Sequence, residues 1–258
     1  MNQDILDQVR AKTPLIHHLT NQVVMNFSAN GLLSFGGTPA MAKYIEVVGD
    51  LAKASDGVLL NLGTLTREEV PAMIKAGKTA NAKGIPVVLD PVGIAGSAFS
   101  REAGHEILKE VNIDCIKGNA GEMAFLAEIP WQTRGVDSVG SGDASEVAKK
   151  VAAKYETIAL VTGEIDYIAS SDELLENKTG HALLTKITGG GCLLGSIVTA
   201  CLTTEGNAIE QVYTATAFYG LAAEYAANRA EVRGPGTLLP VFIDALSYDI
   251  LDIEEELE

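Results

Sequence analysis

Three glycines and a cysteine, Gly189-Gly190-Gly191-Cys192, open the run Leu-Leu-Gly-Ser-Ile-Val-Thr-Ala-Cys that ends at Cys201. Glycines let a backbone turn tightly and bring its N–H groups close to a ligand. Leu193, Ile197 and Cys201 recur four apart, with Leu194, Val198 and Leu202 alongside, which is the spacing of a buried helix with apolar residues on more than one face. A glycine turn that follows a strand and feeds such a helix presents unpaired amides and a partial positive charge of about half a unit. That suits an anion, or the negative charge that develops on a phosphoryl group in transfer. Glycine clusters also mark ordinary strand-to-helix turns, and most cysteines in apolar helices are small core residues. The cluster alone therefore leaves two readings open. A P-loop is excluded, because no Gly, four residues, Gly-Lys-Ser/Thr occurs in the chain.

The other residues able to do chemistry stand at the ends of apolar runs. Asn61-Leu62-Gly63-Thr64 closes one run, Asp90 the next, Asn119 and Glu122 the third, and Thr162-Gly163-Glu164 the fourth. In an open parallel sheet, ligands bind outside the C-terminal ends of the strands, so these groups are expected to gather at one edge. Asp90 and Glu122 are the pair suited to Mg2+, which takes few protein carboxylates and fills its shell with water and substrate phosphates. Taken singly, Asp90 would cap a proline turn and Glu122 a helix N-terminus. His17 and His18 are adjacent and cannot form the i, i+4 face of a helical zinc motif, so they read as turn or packing residues.

Positioning these groups requires alternating strands and helices, which is how a parallel α/β sheet reads. Strands are expected at 58–63, 84–93, 114–117 and 157–162, with helices at 67–83 and 101–111. Upstream, the pattern gives a helix over 4–12, a strand and turn over 15–24, a helix over 25–35, a loop at 38–42 and a helix over 44–54. Downstream, 166–170 and 181–188 are expected as antiparallel strands, since only about ten residues without helical periodicity separate them. An Ala-rich helix follows at 208–229, and a last helix over 240–252 runs into a solvated acidic tail, 254–258. Residues 130–143, with Gly135, Gly140, Gly142, Ser138 and Ser141, read as a mobile loop. No repeat or linker divides the chain, so a single domain over 1–258 is expected.

Composition narrows the function classes. A formal net charge of −15 over 258 residues repels nucleic acid and anionic membrane surfaces, so any phosphate site must be local. Cys115, Cys192 and Cys201 lack metal-ligand spacing and lie in apolar surroundings, as in a reducing compartment. The N-terminus lacks a signal-peptide pattern, and no apolar run approaches the roughly 18 residues of a membrane helix. The expectation is a cytoplasmic protein with no nucleic-acid or membrane partner.

Eight segments together carry a resemblance. Leu-Thr-Asn-Gln-Val-Val at 19–24, Pro-Ala-Met-Ala at 39–42, Leu-Asn-Leu-Gly-Thr at 60–64, Leu-Asp-Pro-Val-Gly at 89–93, Gly-Asn-Ala-Gly-Glu at 118–122, Val-Thr-Gly-Glu at 161–164, Thr-Gly-Gly-Gly-Cys at 188–192 and Gly-Pro-Gly-Thr at 234–237 resemble the hydroxyethylthiazole kinase family of thiamine biosynthesis. The resemblance implies a ribokinase-like three-layer α/β fold: a central, mostly parallel sheet flanked by helices, with a few antiparallel strands. It implies transfer of the ATP γ-phosphoryl group to the primary alcohol of 4-methyl-5-(2-hydroxyethyl)thiazole, with Mg2+ required. By motif, Met41 and Gly189 would line the thiazole pocket with Asn21 and Gly63, Lys117 and Thr162 would contact ATP, and Asp90 and Glu122 would organise the metal. Cys192, with Gly189, Gly190 and Gly191, would form the catalytic turn. The family usually has arginine at Lys117, and lysine keeps the charge but loses the two-point fork. The resemblance also implies a homotrimer with its thiazole site between subunits.

Cys192 stands where related kinases place an aspartate general base. A loose phosphoryl-transfer transition state needs little base assistance, so Cys192 is expected to orient the alcohol and to aid proton removal only modestly. Three alternatives are hydroxymethylpyrimidine or pyridoxal kinases of the same superfamily, which generally carry that aspartate, a hydrolase or acyltransferase with Cys192 as nucleophile, and a non-catalytic ligand-binding protein, which would not need both carboxylates.

Overall fold

The computed structural model describes residues 1–131, 133–134, 137–138 and 142–257. Part of the loop expected over 130–143, residues 132, 135–136 and 139–141, lies outside the described residues. In chain order, α1 (Gln3–Lys12) leads into β1 (Leu15–Leu19), α2 (Met25–Phe35), β2 (Thr38–Met41) and α3 (Val48–Ala54). Then come β3 (Gly57–Asn61), α4 (Glu69–Lys83), β4 (Val87–Asp90), α5 (Ala98–Glu110), β5 (Cys115–Asn119) and α6 (Ala120–Leu126). A two-stranded ladder, β6 (Thr133–Arg134) and β7 (Asp137–Ser138), precedes α7 (Ala144–Tyr155), β8 (Ile158–Thr162), β9 (Asp166–Ala169) and β10 (Leu174–Asn177). After a 3-10 turn at Ala182–Lys186, the chain ends in α8 (Gly190–Cys201), α9 (Ala208–Ala227), α10 (Pro235–Ala245) and α11 (Ile250–Leu257).

The eight-stranded sheet has the order β10-β9-β8-β5-β4-β3-β1-β2. The pairings from β2 through to β8 are parallel, while β9 runs antiparallel to both β8 and β10. Strands covered on both faces read as near-continuous apolar runs, as Val58-Leu59-Leu60 and Val87-Val88-Leu89 do. Their alternation splits the core in two. Ile16, Leu59, Val88, Cys115 and Leu160 pack with α1, α2 and α8 to α11, whereas Val58, Leu60, Val87, Leu89, Ile116 and Val161 pack with α3 to α7. This period of two decides the site, because Asn61, Asp90, Lys117 and Thr162 each lie two residues beyond a member of the first set and therefore face α8.

Several expectations need correction. Residues 38–41 form a parallel edge strand on β1 rather than a loop, and an edge tolerates Pro39 because that position need not donate to a neighbour. The helix expected over 44–54 begins only at Val48. β9 pairs with Leu174–Asn177, not with residues 181–188. The link is short, closed by Ser170 N–H donating to Glu173 O, while 182–186 winds into a 3-10 turn. No strand therefore precedes the glycine turn. The single helix expected over 240–252 is two helices: Pro235 occupies the first turn of α10, Pro240 lies inside it, and the chain breaks before α11. α11 takes up part of the acidic tail, where Glu256 pairs with Arg229.

Candidate active site

At the start of α8, Gly189 sits at the N-cap with φ 92°, in the left-handed region that favours glycine. A Cβ there would lie 2.9 Å from Val24 Cγ1 and 3.2 Å from Phe27 Cδ1, so the position also lacks room for a side chain. Gly190, Gly191 and Cys192 make the first turn of the helix, whose amides have no acceptor within the helix. The Tyr219 hydroxyl, from α9, donates to Gly190 O at 2.6 Å in a buried contact that fixes the turn. Gly195 lets α8 come down on the sheet: a Cβ there would stand 3.3 Å from Leu59 Cδ1 and 3.8 Å from Asp90 Oδ2.

Beneath this turn the strand ends hold a buried polar cluster. Lys117 Nζ donates to Asp90 Oδ2 at 3.1 Å, and the two residues are 3% and 1% exposed. A Cβ on Gly191 would be 3.4 Å from the same ammonium, so the charge lies directly under the glycine turn. Asn61 Nδ2 donates both to Asp90 Oδ2 at 3.1 Å and to Cys192 Sγ at 3.3 Å. Asn61 Oδ1 accepts from Asn21 Nδ2 at 3.1 Å and from Gly63 N–H at 3.0 Å. Asn21 Oδ1 in turn accepts from the amides of Val23 and Val24, where the chain enters α2. Glu122 forms a capping box with Asn119: its Oε2 accepts from Asn119 N–H at 2.9 Å, while its Oε1 accepts from Gly93 N–H at 2.9 Å.

The electrostatics follow from burial. Desolvation raises the Asp90 carboxyl above its ordinary value, with Lys117 and Asn61 opposing. Burial works to lower Lys117, but the charge of Asp90 in the first place, with Glu122, outweighs it and sets the ammonium above its ordinary value. Glu122 is pushed up to about 7 by desolvation and by the neighbouring Asp90 charge. The Cys192 thiol is pushed up to about 11, first by burial and then by Asp90, so it is protonated at neutral pH despite its helix N-terminus.

Cys192, Gly189, Gly190, Gly191, Asp90, Lys117, Glu122, Asn21 and Gly63, separated by up to 171 positions in sequence, thus meet at one end of the sheet. Thr162 ends the adjacent strand and donates to Gly118 O at 3.3 Å, and Met41 lies on the edge strand in register with His18; neither joins the hydrogen-bonded cluster among the described residues. His18 is buried in β1, with Nε2 2.9 Å from Ser196 Oγ on α8, so it packs α8 onto the sheet and does not lie in a turn. His17 Nε2 lies 2.7 Å from Ala42 O, His181 caps the 3-10 turn and His105 sets its ring at a tilt against Phe125, so among the described residues no histidine hydrogen-bonds Cys192. Two contributors were given no role from sequence. Asn61 carried a signal, the polar end of an apolar strand in register with Asp90; Tyr219, inside an Ala-rich helix, carried none.

The model of the hydroxyethylthiazole kinase family matches residues 6–252 of this chain. Hydroxyethylthiazole kinase 1 of Oceanobacillus iheyensis is 58% identical over 247 residues, 96% of either chain. Hydroxyethylthiazole kinase of Listeria monocytogenes is 43% identical, over 94% of this chain and 90% of its own. Among solved structures, the hydroxyethylthiazole kinase protein of Pyrococcus horikoshii superposes with a TM-score of 0.82 at 31% identity, covering 95% of this chain and 92% of its own. A Bacillus subtilis pyridoxal kinase, at 17% identity and a TM-score of 0.60, shares the fold.

Proposed function

The chain belongs to the hydroxyethylthiazole kinase family, and from that premise we propose that it transfers the ATP γ-phosphoryl group to the primary hydroxyl of 4-methyl-5-(2-hydroxyethyl)thiazole in thiamine salvage. The observation that carries this reading is the Lys117 ammonium buried directly beneath the glycine turn, with Asp90 and Cys192 beside it. Phosphoryl transfer is catalysed mainly by positioning and by charge preset where charge develops. The α8 amides and Lys117 supply that charge without waiting for solvent to reorganise. Cys192, protonated at neutral pH, orients the alcohol, whose proton leaves late in bond formation to an oxygen of the transferred phosphoryl group.

The residues present fit a magnesium ion. Asp90 Oδ1 is buried without a hydrogen-bond partner among the described residues and so is left with an acceptor to satisfy, and Glu122 adds a second carboxylate within electrostatic reach. These two residues would hold the ion, with phosphate oxygens and water completing its shell. When bound, it supplies neutralisation of the phosphates. Lys117 and Thr162 contact ATP; Met41, Gly189, Asn21 and Gly63 line the thiazole pocket.

Met41 lies on the edge strand, and Tyr44, Ile45 and Val47, which follow it in the chain, are large apolar residues left exposed. Exposed apolar residues beside an edge strand support a homotrimer whose neighbouring subunit closes the thiazole site. The chain acts as a single domain in the cytoplasm; no helix among the described residues is long and apolar enough to cross a membrane. The test is ADP release with MgATP and the thiazole alcohol, and separately with hydroxymethylpyrimidine and pyridoxal. Turnover on the thiazole alone is expected. Turnover on a pyrimidine or pyridine instead would overturn the substrate, and silence on all three would bring the Cys192 nucleophile forward.

A further inference from the structure

Asn61 joins Asp90, Cys192, Asn21 and Gly63, and its amide is fully used. Both protons on Nδ2 are given away, one to Asp90 Oδ2 and one to Cys192 Sγ, while Oδ1 accepts from Asn21 Nδ2 and Gly63 N–H. Reversing the amide would set its oxygen against the Asp90 carboxylate and its NH2 against the Gly63 N–H, two repulsive contacts, so only one orientation satisfies the surroundings. A side chain that is 1% exposed and locked by four partners keeps one rotamer. We infer that Asn61 is a positioning residue of the phosphoryl-transfer centre, holding the Cys192 thiol and the Asp90 carboxylate in fixed places relative to each other through the two protons of one amide.

The inference rests on the reading of Cys192 and Asp90 given above and deepens it. Because Sγ accepts from Asn61, the S–H proton is not engaged in that contact and can be directed at an incoming alcohol. Because the same amide donates to Asp90 Oδ2, which Lys117 also holds, Oδ1 remains the free acceptor of that carboxylate. One amide therefore sets both the alcohol-orienting group and the open face of the acidic group. The backbone amide of Gly63 and the Asn21 side chain hold Asn61 in turn, which ties the substrate side of the site to the same point.

The experiment has two arms. In the first, the side-chain amide protons of Asn61, assigned through their correlation to the backbone, are followed by NMR in the apo chain. Cys192→Ala is expected to move one of the two proton resonances and Asp90→Asn the other. Neither needs an Asn61 variant, and Cys192 is only half-buried, so its replacement leaves the core intact. Resonances that ignore Cys192→Ala would overturn the placement.

The second arm is a kinetic cycle with Asn61→Leu, which matches the amide in shape, removes both donated protons and brings no charge beside Asp90. In the wild-type background kcat is expected to fall about tenfold or more, with KM for the thiazole within about threefold. In the Cys192→Ala background the kcat effect should shrink severalfold, because one of the two partners is already gone. Equal losses in both backgrounds would mean a merely structural amide and would overturn the positioning role. A wild-type chain silent on the thiazole would refute the kinase reading and the catalytic half of this one; the NMR arm decides the contacts independently.

Discussion

Replacing Lys117 with methionine removes one half of a buried ion pair while keeping most of the volume of the side chain. Asp90 would then sit 1% exposed, with Asn61 as the only partner left to its carboxylate among the described residues. Breaking a buried pair by deleting one partner costs about 3 to 5 kcal/mol, far more than an exposed pair is worth, because the surviving charge remains desolvated. For a chain of this size each kcal/mol corresponds to about 2 to 4 °C in melting temperature, so Lys117→Met is expected to melt roughly 6 to 20 °C lower at pH 8. The carboxyl has an escape in protonation. Its value in the folded chain already lies above the ordinary one and rises further without the ammonium. A group raised in the folded state destabilises above its unfolded pKa of about 3.9 and ceases to do so below it. At pH 5 the penalty therefore cannot exceed the cost of protonation, about 1.5 kcal/mol from 1.1 pH units. Melts of wild type and variant from pH 5 to 8 in chelator should show a gap that widens as pH rises. Adding Asp90→Asn to Lys117→Met should recover most of the loss. A gap independent of pH, or a double variant no more stable than the single, would refute the view that the ammonium is there to hold a buried carboxylate charged.

Three further outcomes follow from the same geometry. Gly189→Ala forces a left-handed residue and a Cβ into Val24 and Phe27, so steady-state kinetics should show activity falling by more than about a hundredfold with the fold retained in circular dichroism. Glu122→Gln keeps the capping box but removes a carboxyl pushed up to about 7. That charge costs stability fully above pH 7 and not below about 4.5, so the variant's melting temperature should fall less than wild type's between pH 5 and 8. Cys192→Asp should retain at least about a tenth of wild-type kcat, and wild-type kcat should show no thiol titration from pH 6 to 9, since that thiol lies at about 11; loss as deep as that of Gly189→Ala would refute the orienting role.

How much of this was legible beforehand can be read from particular residues. The apolar runs ending in Asn61, Asp90, Asn119 and Thr162 specified parallel strands and placed polar groups at their C-terminal ends, because strand burial and the period of two are written locally. The helix over Met25–Phe35 was read to the residue, since glycines follow it and apolar spacing fills it. The glycine turn and its helix were visible for the same reason, as were the segments that mark the family. Other features needed the whole molecule. Thr38–Met41 became a strand because β1 offered it a parallel partner, and 182–186 failed to become one because β9 had already paired with 174–177. Lys117 was legible as a cation for a nucleotide; its bond to Asp90 was not, since the two are 27 positions apart on neighbouring strands. The thiol's protonation at neutral pH followed from burial and from the Asp90 charge, and no helix-terminus rule applied to sequence would have given it. The sequence determined which elements form and which chemical groups stand at their ends. Tertiary structure decided which groups touch, and therefore their charge, because desolvation and hydrogen-bond partners are properties of assembled surroundings and not of a residue's neighbours in the chain.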